Sequence, residues 1–131
     1  MASILKVDEM QGVTSAGSIT VTSEGGSATQ SLQQGLAKAW ISMTSAAVLQ
    51  DSLNVSSAAE NGTGDYQVNF SNNMNDSDYS AIPAVIATAT RIATIDNGAT
   101  KTTSDFDVNG WSASTNRTDI DTATSVHGDL A

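Results

Sequence analysis

The run Leu53-Asn54-Val55-Ser56-Ser57, then Glu60-Asn61-Gly62-Thr63-Gly64-Asp65, then Tyr66-Gln67-Val68-Asn69-Phe70 decides the fold class of this 131-residue chain. Tyr66, Val68 and Phe70 alternate with Gln67 and Asn69, which puts apolar side chains on one face of an extended strand and amides on the other. Asn61-Gly62 tolerates the positive φ of a tight hairpin turn, so the flanking runs pair as an antiparallel hairpin. One dry face and one wet face is the pattern of a sheet resting on a core.

Upstream, residues 36–43 carry an ambiguous period. Leu36, Trp40 and Met43 keep helical spacing, yet the same run can form a strand with Trp40 on one side. Ala46-Ala47-Val48-Leu49-Gln50 reads as a hairpin partner after Thr44-Ser45, which favours the strand. Downstream, the polar loop 71–78 leads into the longest apolar stretch, residues 79–95. Pro83 has no ladder donor, which places its end of that stretch on a sheet edge or bulge. Val85, Ile86, Thr88, Thr90, Ile92, Thr94 and Ile95 are β-branched, so strand is expected over an alanine-rich helix. Asn97-Gly98 and Asn109-Gly110 read as turns that separate strands over 92–96, 102–108 and 111–115, and 120–126 closes the chain. Short strands at near-regular spacing predict an all-β fold, an antiparallel β-sandwich that is jelly-roll-like.

The N-terminal part differs. Ser3 to Asp8 reads as a first strand, and Ser18-Ile19-Thr20-Val21-Thr22 as a second that pairs loosely with it. Gln11-Gly12 and Ala16-Gly17 read as turns. Ser27 and Gln30 stand at capping-box spacing, which predicts a short helix ending near Gln34 with Gly35 just beyond it. The expected division is a docking β-ribbon or arm over residues 1–26 and a sandwich over 27–131.

Composition bounds the function. Five Lys and Arg stand against 14 Asp and Glu, a net charge of −9, so no cationic surface is available to displace counterions from phosphates and nucleic-acid binding is excluded. No apolar run is long enough to cross a membrane, and residues 1–10 lack the basic start and apolar run of a signal peptide. No cysteine is present, which removes disulfides, thiolate metal sites and a thiol nucleophile together. Leu, Ile, Val and Phe total 25 of 131 residues, at the edge of the range in which acidic chains stay disordered alone. Self-association, with a homotrimer as the expected form, is the remedy that also removes exposed sheet edges.

Few residues offer chemistry. His127 is the only histidine and is expected at the surface near the C-terminus, so neither a hydrolytic triad nor an intrachain zinc site is read here. The runs 72–78 and Asp105-Phe106-Asp107 hold oxygen ligands of the kind calcium accepts but lack the EF-hand pattern. They read as solvated acidic loops. Eleven Asp leave a paired-carboxylate polysaccharide depolymerase as an enzyme alternative. Five Asn-x-Ser/Thr sequons follow from composition alone. Trp40 and Trp111 supply area to a core or an interface, and either would stack on sugars if exposed. No catalytic, metal or cofactor residue is assigned.

The opening Met1-Ala2-Ser3-Ile4-Leu5-Lys6-Val7-Asp8 with Gln11-Gly12, the block 51–70 quoted above, and the ending Gly128-Asp129-Leu130-Ala131 resemble small virion structural proteins of marine bacteriophages, tail-fibre-like or capsid-decorating. The resemblance implies an N-terminal docking element, here Ile4, Leu5 and Val7, and a displayed β-domain. It implies a non-enzymatic tail-fibre or tail-tip-like module for host attachment, located in the virion and assembled in the host cytoplasm. The alternative it implies is a head decoration or cement protein. Partners would be other virion proteins, further copies of the chain, and a host cell-surface glycan or protein. Asp76, Asp78 and Trp111 are the expected surface-recognition residues.

Overall fold

The computed structural model describes residues 4–13, 19–86, 90–95 and 101–130. The expected turns at Ala16-Gly17 and Asn97-Gly98 lie outside them. The chain separates into two compact units, Met1–Leu36 and Ala37–Ala131, with the boundary later than the 26/27 division expected from sequence.

In the first unit, β1 (Thr20–Thr22) pairs antiparallel with β2 (Thr29–Ser31), and α1 (Leu32–Gly35) follows directly. Two expectations change here. Residues 4–8 form no strand, and β1 takes its partner from downstream, across a turn closed by Ser23 N donating to Ala28 O and Gly26 N donating to Ser23 O. The shorter loop costs less closure entropy than pairing back across residues 9–17. The helix consequently starts later than Ser27: Thr29 and Gln30 belong to the ribbon, and Ser31 is the N-cap, its hydroxyl accepting from Gln34 N at 3.4 Å. Gly35 closes the helix instead of following it.

The second unit is all-β. Its strands are β3 (Ala39–Met43), β4 (Leu49–Leu53), β5 (Val55–Gly62), β6 (Asp65–Phe70), β7 (Ser80–Ile86), β8 (Arg91–Ile95), β9 (Asp105–Ser112) and β10 (Asp121–His127). They form two four-stranded antiparallel sheets, ordered β4-β3-β10-β7 and β5-β6-β9-β8. Hairpin partners β3/β4, β5/β6 and β8/β9 stay side by side within a sheet, an order that does not by itself single out a jelly roll. The chain changes sheet between Leu53 and Val55 at Asn54, whose φ is 55°. Asparagine tolerates that left-handed conformation better than most residues, and its Oδ1 accepts from Asn72 N at 2.7 Å while its Nδ2 donates to Asn72 O.

The period-two pattern explains the core. Ala39, Ile41 and Met43 of β3, Tyr66, Val68 and Phe70 of β6, Phe106 and Val108 of β9 and Val126 of β10 are buried and meet in one cluster with Met74, Tyr79 and Ile120 from the loops. Strand settles the ambiguous 36–43 segment: Trp40 and Met43, which a helix would place together, lie on opposite faces. Phe70 packs on Phe106 and edge-on to Tyr79, with centroids 5.5 Å apart in both pairs, a favoured aromatic geometry. Pro83 lies in β7, an edge strand as expected.

Both described Asn-Gly turns move. The positive φ of the β5–β6 hairpin falls on Gly64 (φ +63°), not at Asn61-Gly62, which stays in β5. Asn109-Gly110 is no turn at all but the buried middle of β9. Gly110 is glycine because of closeness: a Cβ there would stand 2.4 Å from the Thr118 carbonyl oxygen. Gly64 is pressed by the same residue at 2.5 Å.

Candidate functional site

Ile4, Leu5 and Val7 lie in a segment without helix or strand and are exposed, Ile4 at 78% and Leu5 at 74%. Met10 and Val13 continue the exposed apolar series. Lys6 stands inside it and Asp8 and Glu9 follow. Apolar side chains held in water are unfavourable by roughly 1.5–3 kcal/mol each relative to full burial.

Asp76 and Asp78 are exposed on the loop between β6 and β7. Asp76 Oδ1 accepts from Asp78 N at 2.9 Å, a local turn. The loop is anchored rather than loose. Met74 is buried beneath it, Met74 N donates to Thr103 O and Asn75 N donates to Asp129 O.

Trp111 stands elsewhere. It belongs to β9 and is part-buried, near the end of that strand rather than at the start of one over 111–115. Since β6 carries the acidic loop at its Phe70 end and pairs Asp65 with Asn109 at the other, the aspartates and the indole sit at opposite ends of the sandwich, roughly 17 Å apart along β6 at about 3.4 Å per residue. The structure brings Asp76 and Asp78 together and leaves Trp111 out.

What surrounds Trp111 was not legible in the sequence. Its Nε1 donates to Thr94 Oγ1 at 3.1 Å, and the Arg117 guanidinium lies 5.0 Å from its ring centre, a cation–π contact. Arg117 also donates to Gly64 O at 3.3 Å and to Asn109 Oδ1, and faces Asp65 at 3.6 Å. With this pair about one-third exposed, the charge attraction is worth little by itself. The guanidinium's main effect is geometric: it pins residues 113–118 against β6 and β9. The misread Asn109-Gly110 turn hid it, because Asn109 placed in a turn has no reason to face Arg117.

Five further polar groups make long-range ties in the second unit. Tyr66 is fully buried, its hydroxyl donating to Ser45 O and accepting from Ile120 N, both at 3.0 Å. Burial raises its pKa from 10.0, and the charges of Asp119, Glu60 and Asp121 push the same way. The Tyr79 hydroxyl donates to Asp105 O at 2.7 Å, and burial raises its pKa further, with Asp105 and Asp107 adding to it. The Lys101 ammonium donates to the Tyr79 carbonyl and lies 4.8 Å over its ring. Asp119 and Asp121 accept from the Gly64 and Ser45 amides, each at 2.7 Å.

His127 closes β10, part-buried rather than surface-exposed, opposite Ser80. No group of three or more His, Asp or Glu able to hold a metal occurs among the described residues. The sheet faces differ in character. Outward positions of β5-β6-β9-β8 carry Asp65, Gln67, Asn69, Asp105, Asp107 and Asn109 beside Ile92 and Trp111, whereas those of β4-β3-β10-β7 include the exposed Leu53, Ile82 and Ile86 and the part-buried Trp40 beside Asp51 and Asp121.

No family model, no curated protein and no solved structure matches the chain.

Proposed function

We propose that the chain is a non-enzymatic structural module of a bacteriophage particle, a small tail-fibre or tail-tip-like element that is trimeric and displayed for host attachment. In this reading Ile4, Leu5 and Val7 dock on neighbouring virion proteins, and the sandwich carries the surface that meets a host glycan or protein. The observation that carries it is an imbalance in a chain with few aliphatics. Twelve apolar residues are buried in the core, and twelve large hydrophobic ones are exposed, five of them within residues 4–13. An apolar segment with no core of its own is suited to burial against another chain. A strongly acidic surface keeps such modules soluble at high local copy number.

Deletion of residues 1–12 tests the docking role. The shortened chain is expected to fold and to be lost from purified particles; unchanged incorporation overturns it. Host contact is tested at each end separately, with Asp76→Asn plus Asp78→Asn at one and Trp111→Ala at the other. Loss of cell binding is expected at one end, and full binding by both variants counts against the recognition role. A second reading, a cement protein on the head, is favoured by the apolar outer face of β4-β3-β10-β7, which suits a flat support. Copy number separates the two: one set per capsid subunit places the chain on the head, and a count matching the tail places it there.

A further inference from the structure

We infer that the outer face of sheet β4-β3-β10-β7 packs, face on face, against the same face of a second copy of this chain. The ladder register lays out that face. One row across the four strands reads Leu53, Trp40, Ser125, Ile82, and the next reads Asp51, Ser42, Ala123, Ala84. Leu53 is 48% exposed and Ile82 58%, so the aliphatic residues lie at the two edges with an indole and a serine between them.

This arrangement complements itself. A two-fold axis parallel to the strands, passing between β3 and β10, exchanges the left and right halves of each row. Leu53 of one copy then lies over Ile82 of the other, and Trp40 lies over Ser125, a large side chain against a small one. In the second row Asp51 lies over Ala84 and Ser42 over Ala123, so these rows set no carboxylate against another. A two-fold contact of this kind uses one patch on both copies, and aligned sheets pack in this way about 10 Å apart. The opposite sheet, whose outward residues include Asp65, Asp105 and Asp107, is barred from it by like charge. With strands about 4.8 Å apart and about 3.4 Å per residue, the footprint is roughly 19 by 20 Å, about 800 Å² for the pair in projection. That is below the roughly 1,200–2,000 Å² of a stable complex, so the contact is weak and forms where copies are already crowded. It is two-fold, goes beyond the virion reading, and needs no threefold axis.

The absence of native cysteine makes the test clean. Leu53→Cys and Ile82→Cys are prepared as separate full-length variants, each checked for native circular dichroism, mixed at high concentration and treated with a short bis-maleimide, because facing backbones about 10 Å apart lie beyond disulfide reach. Leu53→Cys is expected to link to Ile82→Cys and poorly to itself, and Ser125→Arg is expected to abolish the link without lowering thermal stability by more than a few degrees. Equal or greater linking of Leu53→Cys to itself, no linking at all, or linking that persists with Ser125→Arg overturns the inference.

Discussion

At the residue scale, Tyr66 shows how a small core is kept in register. Its hydroxyl touches both the β3–β4 turn, at Ser45, and the segment entering β10, at Ile120. Tyr66→Phe leaves a carbonyl and an amide without that partner, and urea unfolding is expected to show a loss of about 1–3 kcal/mol. The same burial has a pH consequence. Because the folded pKa of Tyr66 lies above the unfolded value of 10.0, its contribution is complete below pH 10.0 and declines as pH climbs from there toward the raised folded value. Tyr79 is raised as well, so alkaline loss of stability is expected to be steeper in the native chain than in Tyr66→Phe or Tyr79→Phe. Equal alkaline slopes would contradict this. Thr124 is the opposite case. Its Oγ1 is buried without a hydrogen-bond partner, so Thr124→Val, which keeps the shape and removes the hydroxyl, is expected to leave thermal stability unchanged or to raise it by about 1 kcal/mol. A marked loss would show that the hydroxyl has a partner in solution.

At the scale of elements, three backbones cross closely at Gly64, Gly110 and Thr118. Gly110 N donates to Gly64 O, Thr118 N donates to Gly110 O, and neither glycine has room for a methyl group. Gly64→Ala also meets a positive φ, and is expected to lower stability by more than about 2 kcal/mol; a change below about 0.5 kcal/mol on denaturant unfolding would contradict this packing. These two positions also show what the sequence could and could not convey. Period-two alternation in Tyr66 to Phe70 was legible because each side chain reports its own face, and the edge position of Pro83 was legible because the missing donor is a property of the residue itself. Asn61-Gly62 and Asn109-Gly110 have the same local chemistry, yet one stays in a bulged strand and the other is buried mid-strand. The deciding contact comes from Thr118, far along the chain from Gly64, and Arg117 is invisible for the same reason. Local propensity shows which residues suit a turn, not the approach of other segments that decides whether a turn forms there. The N-terminal ribbon failed differently: residues 4–8 are β-prone, but Thr29-Gln30-Ser31 is the partner that β1 reaches over a shorter loop.

At the scale of the whole molecule, the sparse aliphatic content is divided in a way that composition alone does not reveal. The sandwich closes a core of its own, drawing heavily on Tyr66, Tyr79, Phe70, Phe106, Met43 and Met74, whose size offsets the shortage of leucine. Much of the remaining apolar surface is concentrated on residues 4–13 and on one sheet face. Most of the acidic side chains lie on the opposite sheet and the loops, with Asp51 and Asp121 the exceptions in β4 and β10. In the proposed reading such a polypeptide meets other chains through its apolar parts and solvent through its charged ones. Sedimentation equilibrium of the purified full-length chain at low micromolar concentration tests this most directly: a discrete multimer, with three copies as its unit, is expected, whereas a folded single copy persisting across the concentration range would contradict it.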